Sequence, residues 1–178
     1  MKRIDLELSK LSAIAFCGLV LALGTSCRDV VTLVQGYAES WNPGKNAQKR
    51  TLADIRNTGT AMFSWLTDQV GAAAAGQSQV PPPVDLGDYA PISHADLATI
   101  LVPDYMAEVP KLDGWESPYE YYLNVANPLA QKIMSIRSAG RDGKFSDTVY
   151  TAGAFDPESL DEDIVWSDGF FVRWPQKK

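Results

Sequence analysis

Carboxylates dominate the chemistry available to this chain late in its sequence. Between Asp142 and Asp168 stand Asp142, Asp147, Asp156, Glu158, Asp161, Glu162, Asp163 and Asp168, against a single base, Lys144. Carboxylates this dense repel one another unless water keeps them apart or a counter-ion gathers them. Two readings follow. One is a solvated acidic loop. The other is a calcium site, because Ca2+ takes about six to eight hard oxygens from carboxylates and loop carbonyls in flexible geometry. The spacing leaves both open, since the EF-hand run Asp-x-Asp-x-Asp-Gly is absent.

Other chemistry is thinly supplied. Two Cys and one His are too few for a structural zinc site or a Cys–His nucleophile, so any metal must be held by oxygen. His94 falls in the first turn of a short helix, where a surface or capping role is expected. Tyr119, Tyr121 and Tyr122, with Trp115, Trp166 and Trp174, first suggest a sugar-binding set, but at strand spacing such residues form core and cross-strand pairs. No Gly-rich phosphate loop follows a strand, and neither Gly-x-Ser-x-Gly nor His-Glu-x-x-His occurs, so no enzyme is expected. With 16 Lys+Arg against 22 Asp+Glu, a net charge of −6 and no basic run, nucleic acid is not expected as a partner.

The N-terminus reads as an address. Lys2, Arg3 and Lys10 precede the uncharged run Leu11–Gly24, which is short for a membrane span of roughly 20 residues but suits an export-signal core of about 7–15. The run ends Leu23-Gly-Thr-Ser-Cys27, which resembles a bacterial lipoprotein signal with its Leu one place farther from the Cys than usual. Cleavage there would remove Cys17, excluding an intramolecular disulfide, and acylation of Cys27 would tether the chain. The alternative is ordinary signal cleavage or a short uncleaved anchor, with Cys27 a spare thiol. The expected organisation is an export signal over 1–26, a lead-in over 27–45 and a globular domain over 46–178. Its expected place is outside the cytosol, membrane-tethered at the periplasmic or outer face of a bacterial envelope.

The elements that position these groups follow from periodicity. From Asn46 to Val70, Leu52, Ile55, Met62, Phe63, Leu66 and Val70 recur at steps of three and four, with Gly59 in the gap, which predicts an amphipathic helix. Gly71–Pro83 predicts a long loop, since its prolines cannot continue the helix. Ser93-His-Ala-Asp96 matches a capping box and opens a second helix that ends at Pro103. Beyond Pro110 the period falls to two, predicting strands at 119–123, 133–138, 164–166 and 170–174. Asn127-Pro128 and Ser167-Asp-Gly169 separate them as hairpin turns. With 46% hydrophobic residues in 178, the expectation is one α+β domain in two layers, an amphipathic N-terminal helix on a small antiparallel sheet.

Three stretches carry a resemblance. Leu112-Asp-Gly-Trp-Glu-Ser-Pro-Tyr-Glu-Tyr121 resembles the Asp-Pro-Trp-Gly-Asn-Pro-Tyr-x-Tyr signature of type II secretion major pseudopilins. Ile136-Arg-Ser-Ala-Gly-Arg-Asp-Gly-Lys144 resembles their Ser-x-Gly-x-Asp-Gly turn, and Asp161-Glu-Asp-Ile-Val-Trp166 their acidic pair followed by Ile and a nearby Trp. The order also matches, and the set covers about residues 46–166. The resemblance implies a pseudopilin-like fold whose late loop is pinned by Ca2+, with Asp142, Glu162 and Asp163 as ligands. It also implies other envelope or secretion-apparatus proteins as partners, and a membrane anchor at the N-terminus.

Two departures stand beside it. Pseudopilins open with a Gly-Phe cleavage point and a Glu five residues into the mature chain, whereas Gly18 here precedes Leu-Val-Leu and no Glu follows until Glu39. Thr148–Leu160 also lengthens the stretch between Asp142 and Asp163. The expected function is a non-enzymatic envelope protein working through protein contacts in a secretion or pilus-like assembly. The alternative is a tethered lipoprotein that captures a peptide or glycan on an aromatic sheet face.

Overall fold

A computed structural model describes residues 42–72 and 83–176. The expected export segment, Cys27 and nearly all of the predicted 71–83 loop lie outside the described residues. The compact unit spans Pro43–Lys178, beginning slightly ahead of the expected Asn46. The reason is Pro43, the first residue of helix α1, Pro43–Val70. A proline is harmless there because the opening N–H groups of a helix have no partner within it.

The buried stripe of α1 is Gln48, Thr51, Ile55, Thr58, Gly59, Ala61, Met62, Trp65 and Leu66. It is more polar near its start than hydropathy predicts. Thr51 is inside because its hydroxyl accepts a hydrogen bond from the Gly114 amide at 2.9 Å, tying a loop to the helix. The second helix, α2, covers His94–Leu101 and opens as predicted, with the Ser93 hydroxyl accepting from the Asp96 amide.

The strands are β1 (Val84–Asp85), β2 (Pro91–Ile92), β3 (Glu120–Leu123), β4 (Met134–Ser138), β5 (Val149–Tyr150), β6 (Gly153–Phe155), β7 (Ile164–Ser167) and β8 (Phe170–Pro175), with a 3-10 turn at Leu86–Asp88. Six of them form one sheet in the order β2-β3-β4-β7-β8-β6, and β1 pairs with β5 in a separate two-stranded ribbon. Neighbours in the large sheet are antiparallel except β6 and β8, which run parallel. The sheet is therefore mixed where an antiparallel one was expected, because β6 precedes the β7–β8 hairpin in the chain yet lands beyond it at the edge. That hairpin turns on Asp168 and Gly169, both at positive φ (46 and 104), as an Asp-Gly turn between strands demands.

Alternation along the strands sends side chains to two faces, and both are covered. Tyr121, Leu123, Met134, Ile136, Ile164 and Trp166 pack in the cluster that contains Ile55, Met62 and Leu66 of α1 and Leu97 and Leu101 of α2. Tyr122, Val165 and Val172, of opposite parity, pack with Val84, Leu86, Tyr89 and Tyr150. The expected two layers thus become three, the third being the β1–β5 ribbon and its 3-10 turn. No helix among the described residues is long and apolar enough to cross a membrane.

Two glycines set the closest approaches. A Cβ at Gly59 would lie 2.8 Å from the Trp166 indole, and one at Gly114 would lie 2.1 Å from the Ala47 carbonyl oxygen of α1. An indole edge can slide, and Ala at position 59 also gains about 1 kcal/mol of helix propensity. A helix backbone cannot give way as cheaply. Gly114→Ala should cost about 3 kcal/mol or more and Gly59→Ala clearly less, as read from urea midpoints of the two variants.

Candidate functional site

The repulsion in the acidic stretch is relieved by cations that come from elsewhere in the chain. Arg141 holds Asp161 through two parallel bonds of 2.8 Å, Arg173 holds Glu162 at 2.6 Å, and Lys45 of α1 pairs with Glu158. Arg141 lowers the pKa of Asp161 below the ordinary carboxylate value by direct hydrogen bonding. Asp147 is also lowered, by the amides of Val149 and Thr148 that its side chain accepts from. Asp156 accepts from the Glu158 amide and Asp142 from the Lys144 amide, each closing its own turn.

Asp163 is handled differently because it is inside, 1% exposed. Its Oδ2 accepts from the Ser146 amide at 2.9 Å, the Ser146 hydroxyl at 2.7 Å and the Tyr150 hydroxyl at 2.7 Å. Its Oδ1 is buried without a hydrogen-bond partner. Behind Tyr150 stands Arg137, on central strand β4 with its side chain 8% exposed. The guanidinium donates through Nε to Glu120 at 2.8 Å, and through Nη1 to the Asp147 carbonyl at 2.8 Å and the Tyr150 hydroxyl at 3.1 Å. The Phe145 ring lies 3.8 Å from its centre. Burial opposes the charge on Arg137, but its bonds to Glu120 and Tyr150 outweigh this and hold its pKa above the ordinary value. Burial, then the bond to Asp163, raises the pKa of Tyr150, so its hydroxyl keeps its proton and donates.

The quoted sequence stretches meet in space. Asp113, fully buried, accepts from the amides of Trp115 and Ser117, and its other oxygen accepts from the Ser138 hydroxyl at 2.6 Å. Glu120 and Arg137 join the same two stretches again. Gly140, at φ 69, passes so close to the carbonyls of Leu160 and Glu162 that a Cβ would lie within 2.9 Å of both. At the other end of the sheet Asp168 accepts from the amides of Ile133 and Met134 and from the Tyr89 hydroxyl at 2.6 Å, holding the ribbon side to the hairpin.

Asp142, Glu162 and Asp163 are not brought together as one ligand set. Asp142 is exposed in its own turn, Glu162 is engaged by Arg173, and Asp163 faces Ser146 and Tyr150. Among the described residues no three carboxyl, imidazole or thiol groups are placed to share a metal ion. Of these three carboxylates, Asp163 has one buried oxygen, Oδ1, without a hydrogen-bond partner. His94 donates from Nε2 to the Val109 carbonyl at 2.9 Å, a strut for the segment after α2. Tyr119, Tyr121 and Trp166 belong to the core, while Trp115 and Trp174 are half-buried.

Two clefts flank α1. One, of about 390 Å3, lies between Arg56 and Phe63 of the helix and Phe171 of β8. The other, of about 420 Å3, lies between Arg50, Asp54 and Asn57 of the helix and Glu108 and Lys111 opposite. Comparison with family models, curated proteins and solved structures returns no match.

The sequence reading missed Arg137, Tyr150, Ser146 and Asp113 as organisers. Arg137 left one signal, a charge in the middle of an otherwise apolar strand pattern, Ile133-Met-Ser-Ile-Arg-Ser138. Asp113 left another, an Asp before Gly-Trp in a turn-rich stretch.

Asp54 yields a pH test. Burial raises its pKa above 3.8, a rise that the Tyr119 hydroxyl and Arg50 only partly counter. Between 3.8 and the raised value the folded chain binds more protons than the unfolded one, so stability falls as pH climbs through that window. Asp54→Asn keeps an acceptor for Tyr119 and removes the charge. Its Tm should equal or exceed that of the parent at neutral pH, with the difference closing below pH 3.8, in paired thermal melts across pH.

Proposed function

We propose that this chain is an exported, membrane-tethered envelope protein whose globular unit resembles the head of a type II secretion pseudopilin. It acts without catalysis, through protein contacts in a secretion or pilus-like assembly. The observation that supports this reading is the convergence of the three signature-like stretches. Residues 112–121, 136–144 and 161–166 are far apart in sequence, yet Asp113 bonds Ser138, Glu120 bonds Arg137, and Gly140 packs on the Leu160 and Glu162 carbonyls. The three stretches lie on or beside β3, β4 and β7, which are neighbours in the sheet. The exposed polar face of α1, which includes Lys49, Arg50 and Arg56, offers a surface for such contacts.

The second reading, a tethered lipoprotein that captures a peptide or glycan, draws on the cleft between Arg50, Asp54, Glu108 and Lys111. Opposite charges facing across a cleft suit a ligand carrying both signs.

Photo-cross-linkers placed at Lys49 and Arg56 in the native cell distinguish the two. Adducts with another copy or with an envelope component, on an exported chain whose N-terminus mass spectrometry shows to be processed, are the expected result. An unprocessed cytosolic chain without adducts would sink the proposal. A processed chain whose cross-links vanish only when Asp54 and Lys111 are replaced would favour the ligand-binding reading.

A further inference from the structure

We propose that the Arg137 guanidinium performs in this fold the task that the pseudopilin resemblance assigns to calcium, as a covalently built-in cation that seats residues 145–150 on the sheet. The inference concerns how the acidic loop is ordered and does not rest on the assembly reading.

The loop that follows the Asp-Gly turn has few contacts of its own, being exposed at Ser146, Asp147, Thr148 and Val149. Ordering it costs conformational entropy that something must offset. Arg137 reaches three of its residues at once, with Phe145 stacked on the guanidinium, the Asp147 carbonyl accepting from Nη1 and the Tyr150 hydroxyl beside it. Glu120 on the neighbouring strand fixes the guanidinium from behind at 2.7 Å, so the cation is aimed before the loop arrives. The fork of an arginine, unlike an ammonium, can serve all these acceptors in one plane.

The same cation answers the buried carboxylate. Tyr150 accepts from Arg137 and donates to Asp163, placing the positive charge one hydroxyl away from the negative one. Ser146 supplies two further donors to the same oxygen. A divalent ion entering here would have to displace Glu162 from Arg173 and open the Asp142 turn, and would meet a fixed positive charge close by. The buried carboxylate would offer it one unpartnered oxygen, Asp163 Oδ1.

Once residues 145–150 are seated, the second layer follows. Tyr150 and Val149 pair with Val84 and Asp85, and the Leu86 amide donates to the Thr148 carbonyl at 2.9 Å. Arg137 thus decides whether the β1–β5 ribbon closes over the sheet.

The test uses the purified full chain in detergent, melted in millimolar CaCl2 and in EGTA, together with Arg137→Met and Phe145→Ala. The parent should melt at the same temperature in both buffers. Any calcium site at hundredfold saturation would raise Tm by several degrees, and a rise of about 5 °C or more overturns the proposal. Arg137→Met should lower Tm by about 10 °C. In hydrogen exchange its Ser146 amide and β1–β5 ladder should lose about tenfold in protection while the β3–β4 ladder holds. Phe145→Ala, which leaves every hydrogen bond of Arg137 in place, should loosen the same amides by less and covers the case in which Arg137→Met does not fold. Unchanged protection at Ser146 in whichever variant folds also overturns the proposal.

Discussion

The carboxyl group of Asp163 lies inside the molecule, and a buried polar group must be met by donors or its burial costs free energy. Much of the sheet's second face is arranged around that requirement. Ser146 and Tyr150 come to the carboxylate because their loop is drawn onto β4 by Arg137, and Tyr150 then becomes part of the apolar cluster with Val84, Leu86 and Val165. Polar satisfaction and hydrophobic burial are therefore one event here. The ribbon cannot close without the loop, and the loop has no reason to sit on the sheet without the arginine and the aspartate.

The first face depends on proximity instead. α1 lies directly on Trp166 because Gly59 has no side chain, and the Asp113–Ser117 turn docks on the start of α1 because Gly114 has none. Asp113 stiffens that turn by accepting from two of its amides, then passes the constraint to β4 through Ser138. Strand β4 is the common member, with Ile136 and Met134 under the helix and Ser135 and Arg137 pointing to the ribbon side. A central strand buried along its whole length has no neutral positions, which explains why a polar Ser-Ile-Arg-Ser run survives there only with every polar group engaged.

Periodicity made α1 and the four central strands legible, and local chemistry made the Ser93 cap and the Asp168-Gly169 turn legible. What escaped was whatever depends on a distant partner. Strands of two residues, such as Val84–Asp85, Pro91–Ile92 and Val149–Tyr150, are too short to show an alternation and exist only because another segment pairs with them. The same limit applies to the acids. Their density was plain in the sequence, but the partners of Glu158, Asp161 and Glu162 are Lys45, Arg141 and Arg173, and nothing in the order of residues ties Lys45 to Glu158. Local sequence therefore shows one base among eight carboxylates, while the fold shows the cations dealt out among them.

With both sheet faces occupied, the surfaces left for another protein are limited. The sheet edges are poor templates for strand addition. β2 is two residues long and begins with a proline, which lacks an N–H, and β6 is three residues long and starts with a glycine. Main-chain pairing with a partner strand is thus disfavoured at either side. Among the described residues, the outer face of α1 and the loop between β3 and β4 are exposed surfaces of another kind. Asn124 and Asn127 brace that loop by accepting the amides of Asn127 and Leu129, and Leu129 stands 70% exposed at its tip. Both surfaces are also tied to the rest of the fold, the loop through Lys132 to Asp88 and the helix through Arg56 over the Phe171 ring, so their side chains are presented from fixed positions.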